Sequence, residues 1–185
     1  MRDKDYWRCK ASVEHVAASS KDLEQVANNL CKQALDDAKS ELHPLIRNVE
    51  LDRLDRRHEF IQAFKFALEE RIAHKLAIWQ PYVQAVFRFD ESCIENRNSW
   101  DGSIHLLVKV PHLSNAIIAL SAMLDQCLIK YLRRLGWSRF RKQQSVLEIL
   151  QVTPSELRHG ISYGAMFCAV HSVPVKVWPL KGPAR

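Results

Sequence analysis

The sequence predicts an α+β protein, with an N-terminal helical hairpin followed by a small mixed β-sheet domain packed with helices. Three observations carry this. Apolar residues recur every three or four positions through much of the first eighty residues. Short runs rich in aromatic and β-branched residues replace that pattern after Pro81, and one such run leads straight into Thr153-Pro154-Ser155-Glu156, the full signature of a helix start. The implied organisation is a helical region at 1–80, an α+β domain at 81–178 and a flexible tail at 179–185.

From Ser20 onward, Leu23, Val26, Ala27, Leu30, Ala34, Ala38, Leu42 and Leu45 form one stripe at helical spacing, with Ser19 and Ser20 able to cap its start. Pro44 sits near its end. A second stripe, Leu51, Leu54, Ile61, Phe64, Leu68, Ile72, Leu76 and Trp79, is bounded by Pro81, and an unbroken helix over it would be ~43 Å long. A short connection between two such helices makes the hairpin, whose stripe must be buried against the rest of the chain or another subunit. Residues 82–89 and 103–110 read as strands separated by a polar stretch that ends in the turn pair Asp101-Gly102. A helix follows, capped by Ser114 and closed by Gly136, with Ile117, Leu120, Leu124, Leu128 and Leu132 on its apolar face. Residues 145–152 read as a third strand. Thr153 then caps a short helix, Pro154 fits its first position, Glu156 completes the capping box, and Gly160 marks its end. A glycine-containing apolar segment, 161–170, leads to a last strand at 173–178, and Pro179 with the tail stops regular structure.

With 185 residues, 47% apolar and 26% charged, the chain can bury one sizeable core and is not disordered as a whole. Five cysteines, Cys9, Cys31, Cys93, Cys127 and Cys168, are odd in number and scattered, which suits a reducing compartment. The charged N-terminus is followed by no apolar stretch, and no apolar run approaches the ~18–20 residues that span a bilayer. The expectation is a cytoplasmic protein with no membrane partner. The glycines form neither a Walker-type phosphate loop nor a dinucleotide fingerprint, and Ser162-Tyr163-Gly164 is no nucleophile elbow, so no cofactor is expected.

The order of elements from about Pro81 to His159 resembles that of the small nucleotidyltransferases of the DNA polymerase β-like type. In that family the first strand leads into a Gly-Ser turn, and the second opens with paired aspartates that hold magnesium. Here those positions read Phe89-Asp90-Glu91-Ser92 and Asp101-Gly102-Ser103-Ile104-His105, so Ser103 and His105 stand where the paired aspartates would be. Glu148 on the third strand can occupy the place of the family's third carboxylate. The resemblance therefore implies a degenerate, non-catalytic member, because a serine and a histidine do not replace two hard oxygen anions for magnesium. Asp90, Asp101 and Glu148 remain the candidate catalytic carboxylates, with Glu91 beside them; the alternative is that Asp90, Glu91 and Asp101 are solvated loop residues.

Other chemistry is weaker. His159, Cys168 and His171 suit zinc by residue type, but their spacing is not that of a zinc site, so no metal is expected; Cys168 reads as a small buried residue and His171 as a turn residue. His58 and His74 read as surface residues of the long helix. Cys93 lies in the polar loop without a histidine at a recognised spacing.

The charge has an address. Residues 1–100 carry 16 basic and 17 acidic side chains, whereas residues 101–185 carry 11 and 4, so the second half holds the whole net charge of +6 and one more. Lys130, Arg133, Arg134, Arg139, Arg141 and Lys142 fall in a stretch without acids, interleaved with Tyr131, Trp137 and Phe140. Cations neutralise phosphates and exposed aromatic faces stack on bases, so this segment, Trp137 included, is the expected site for nucleic acid or another polyanion. The competing explanation is a solvated basic connection, with Lys130, Arg133 and Arg134 drawn to a helix C-terminus and Trp137 and Phe140 packed in the core. Three function classes stay open: a non-catalytic cytosolic binding protein contacting a polyanion, a divergent nucleotidyl- or phosphoryl-transfer enzyme with an altered carboxylate set, and an assembly protein that meets a partner or its own copy through the N-terminal helices.

Overall fold

A computed structural model describes residues 20–41, 58–89, 103–137, 144–168 and 173–179. Among these, α1 spans Ser20–Glu41, α2 His58–Trp79, β1 Ala85–Arg88, β2 Ile104–Lys109, α3 Asn115–Arg134, β3 Leu147–Val152, α4 Pro154–His159 and β4 Val175–Trp178, with a 3-10 helix at Ser162–Cys168 before β4. The fold is α+β, helices around a small mixed four-stranded sheet of order β3-β2-β1-β4. Residues 42–57, with Pro44, Leu51 and Leu54, lie outside the described residues, as do Asp90, Glu91, Cys93, Asp101, Arg139, Phe140, Arg141, Lys142, His171 and the tail.

β1 pairs antiparallel with both β2 and β4, whereas β2 and β3 run parallel, joined through α3. The strands are shorter than their apolar runs because only the paired residues belong to the ladder. β2 is central and buried along almost its whole length, which is why it reads as a continuous apolar run and not an alternating one. One face of the sheet, with Val86, Ile104, Leu106, Val108, Leu147 and Ile149, lies in the same buried cluster as α2 and α3. Across the sheet, Phe89, Leu107 and Val152 pack with Phe87, Leu157, Met166 and Phe167 beneath α4 and the 3-10 helix.

The helical region continues this core. α1 packs on α2 and α3, and the buried cluster runs from Leu23 and Leu30 through Phe64 and Leu68 to the sheet, so apolar packing is continuous across residues 80 and 81. Arg71 on α2 donates to the Asp37 carboxylate and to Gln33 Oε1 (2.8 Å) on α1. The stripe read on α3 is the buried one: Ile117, Leu120, Leu124, Leu128 and Leu132 are all enclosed. By length and composition α3 is long and apolar enough to cross a membrane, contrary to the expectation that no such run exists, and 39% of that stretch is buried in the fold.

Ser114 occupies the N-cap position of α3 without capping through its side chain. Its hydroxyl lies 2.8 Å from Tyr82 Oη instead, its N–H donates to Gln151 Oε1 (2.8 Å), and its carbonyl accepts from Gln151 Nε2 (2.9 Å). The start of α3 is thus pinned to β3 and to the segment before β1. The α4 cap follows the local rules in full. Thr153 accepts from the Glu156 N–H, Glu156 accepts from the Thr153 N–H (2.8 Å), Pro154 opens the helix, and Gly160 closes it in the left-handed conformation at φ 60°. Gly164 sits so close to α4 that a Cβ there would come within 2.1 Å of the Glu156 carbonyl oxygen, which seats the 3-10 helix on α4.

Thr153→Ala is expected to lower stability by about 1 kcal/mol, read as a shifted urea midpoint with unchanged slope. The Thr153 backbone N–H holds the Glu156 carboxyl below its ordinary value of 4.5. Its contribution is therefore complete above that ordinary value and fades as the pH falls through the lowered native one.

Candidate functional site

A groove of about 740 Å³ opens along β3. On one side it is lined by α3 and the residue before its cap, with Leu113, Ile118, Ser121, Ala122 and Asp125; on the other by Ser162 and Tyr163 of the 3-10 helix. β3 forms the wall between them, because it is the end strand of the sheet.

The ladder decides what that wall presents. Ile104 N–H donates to Val146 O (2.8 Å) and Val110 N–H to Val152 O (3.0 Å), with Ile104 opposite Leu147 and Lys109 opposite Val152. In a parallel ladder alternate residues of one strand serve the same neighbour, so Glu148, Leu150 and Val152 turn their peptide groups toward β2. Leu147, Ile149 and Gln151 turn theirs outward. Asp125 takes the first outward donor: its Oδ1 accepts from both Val146 N–H (2.7 Å) and Leu147 N–H (2.8 Å). Among the described residues nothing pairs with the outward peptide groups of Ile149 and Gln151, which face the groove with one donor and one acceptor each.

Charge in the groove is negative. Asp125, Glu148 and Glu156 line it, and no lysine or arginine does among the described residues. Two of these carboxylates are committed, Asp125 to the start of β3 and Glu156 to the α4 cap. Glu148 keeps 52% of its side chain exposed, while its Oε2 accepts from Nδ1 of His105, 3.0 Å away on β2. The two meet because the register sets His105 directly opposite Glu148. His105 is buried and lies with its ring 5.4 Å from that of Phe89.

Of the candidate carboxylates the structure therefore places Glu148, beside His105, while Asp90 and Asp101 fall outside the described residues. Among those described, no group of three or more His, Cys, Asp or Glu residues can hold a metal ion. His159 donates from Nδ1 to the Ser155 carbonyl (2.8 Å), and His74 is exposed. Cys168, the last residue of the 3-10 helix, is exposed, contrary to the buried position expected. Burial instead encloses Cys31 and raises its thiol pKa.

The basic segment divides. Trp137 is wholly buried, with its ring edge-on to Phe60 (5.9 Å) and Phe64 (5.2 Å) of α2, so its indole offers no face to a base and the expectation for this residue is corrected. Lys130 and Arg134 reach across to Glu24 on α1, at 3.1 and 3.0 Å. The hydrogen bond from Lys130 holds the Glu24 carboxyl below its ordinary value, with Arg134 adding to the effect. Arg133 is exposed on the same turn of the helix. Arg139, Arg141 and Lys142 are not among the described residues.

The sequence singled out Glu148 but not the groove around it. No protein-family model, curated protein or solved structure matches the chain.

Proposed function

We propose that the protein is a non-catalytic binding protein whose ligand is an extended polypeptide segment laid along the free edge of β3. The observation that carries this reading is the pair of outward peptide groups at Ile149 and Gln151, set in a groove flanked by the exposed apolar residues Leu113, Ile118 and Tyr163. An unpaired edge is a template for another strand, and sheets guard such edges with lysine, proline, bulges or covering segments. β3, Leu-Glu-Ile-Leu-Gln-Val, carries no lysine or proline and is regular against β2 throughout. The structural commitments of Asp125 and Glu156 favour binding over acid–base chemistry.

A capped hexapeptide of alternating valine and threonine should slow amide exchange at Ile149 and Gln151 and shift their amide resonances, and its fully N-methylated counterpart should do neither. Absence of any change at these two amides with millimolar peptide overturns the reading. Magnesium-dependent turnover of a nucleoside triphosphate that is lost on Glu148→Gln would replace it with the transferase alternative.

A second reading, contact with nucleic acid or another polyanion, is favoured by the exposed Lys130, Arg133 and Arg134 on the last turns of α3, followed in the chain by Arg139, Arg141 and Lys142. Binding of a single-stranded oligonucleotide should then weaken steeply with salt and disappear when the last three become glutamine. On this reading Glu24→Gln releases Lys130 and Arg134 and steepens the salt slope by about one to two. Stability should change little, as for other exposed ion pairs. An oligonucleotide that fails to bind even at low salt removes this reading.

A further inference from the structure

We infer that a strand added antiparallel to the β3 edge carries a lysine or arginine opposite Glu148, with apolar residues beside it. This rests on the edge-binding reading above and names the partner's chemistry. When a strand adds antiparallel to the outward residues, Leu147, Ile149 and Gln151 become its hydrogen-bonded positions. Glu148 and Leu150 then fall at the alternate positions, where facing side chains approach most closely.

Glu148 is the carboxylate in the groove with no structural commitment to a backbone donor, it is half exposed, and neither lysine nor arginine lines the groove among the described residues. A cationic side chain opposite it therefore meets a half-exposed carboxylate whose described partner is His105, although the chain as a whole carries +6. The residue opposite Leu150 lies against an apolar neighbour on the same face. The residue opposite Ile149 points to the other face, where Leu113 and Ile118 of the α3 side stand exposed. The partner motif is thus a short extended run with apolar residues at the two positions immediately before one basic residue. A second copy of this chain supplies no such residue from its own β3, which holds one glutamate and one glutamine and no base.

The probes are three capped hexapeptides that differ at one central residue, lysine, norleucine or glutamate, in an otherwise constant valine-threonine frame. Binding is followed through the Ile149 and Gln151 amides of the full chain. The lysine peptide should bind about three- to fivefold more tightly than the norleucine peptide, the gain of one partly exposed ion pair, and the glutamate peptide least well. Glu148→Gln retains an acceptor for His105 and should make lysine and norleucine equal, and Glu148→Lys should reverse the order of lysine and glutamate. Equal binding of all three peptides to the unaltered protein overturns the basic-partner inference while leaving edge binding intact. Binding of none overturns both. Protection of Ile149 and Gln151 that rises with protein concentration alone assigns the edge to a second copy and likewise overturns it.

Discussion

Trp137→Ala is expected to lower stability by about 3–5 kcal/mol, a large share of the ~5–15 kcal/mol that holds a domain folded. The indole is wholly buried, edge-on to Phe60 and Phe64, so truncation removes two aromatic contacts and leaves a cavity at the meeting of α2 with the end of α3. Chemical denaturation measures it. Trp137→Phe keeps one ring in the site and should recover a substantial part of the loss. An alanine variant as stable as the unaltered chain but defective in oligonucleotide binding would restore the exposed stacking role and contradict this packing.

Asp125→Ala is the second large effect. One carboxylate oxygen serves two donors, Val146 N–H and Leu147 N–H, in a buried position. Alanine leaves both without an acceptor, at about 1–3 kcal/mol each, and frees the start of β3. Asparagine at this position loses the charge but keeps an oxygen, so Asp125→Asn should retain most of the stability. The same comparison bears on binding, because a frayed β3 start disturbs the edge that the ligand would meet. If alanine and asparagine variants melt together with the unaltered protein, the double acceptor is not structural.

What could be read from the sequence follows the range of the interactions. The α3 stripe and the Thr153-to-Glu156 cap depend on residues within a few positions of one another, and both read correctly. Ser114 shows the limit: its position as N-cap is local, but its hydroxyl goes to Tyr82 and its backbone to Gln151, contacts that no spacing rule contains. Trp137 misleads for the same reason. Its neighbours in sequence are basic, whereas its neighbours in space are Phe60 and Phe64, more than seventy residues earlier.

The candidate site depends still more on non-local pairing. Glu148 is visible as a carboxylate on a strand, and His105 as a residue opening another, but only the parallel register brings them together. The groove is invisible in the sequence because an edge exists only once strand order is known. An apolar hexapeptide with one glutamate reads equally well as a central or an outer strand. The charge run suffered the opposite fate, since Glu24, on a helix far earlier in the chain, answers two of its cations.

Residue-resolved amide exchange along β3 tests the open edge most directly. In the unliganded protein Glu148, Leu150 and Val152 should be protected by β2 while Ile149 and Gln151 exchange much faster, and the hexapeptide should slow those two selectively. Uniform protection of all five amides in the dilute protein, unchanged by peptide, would contradict an available β3 edge.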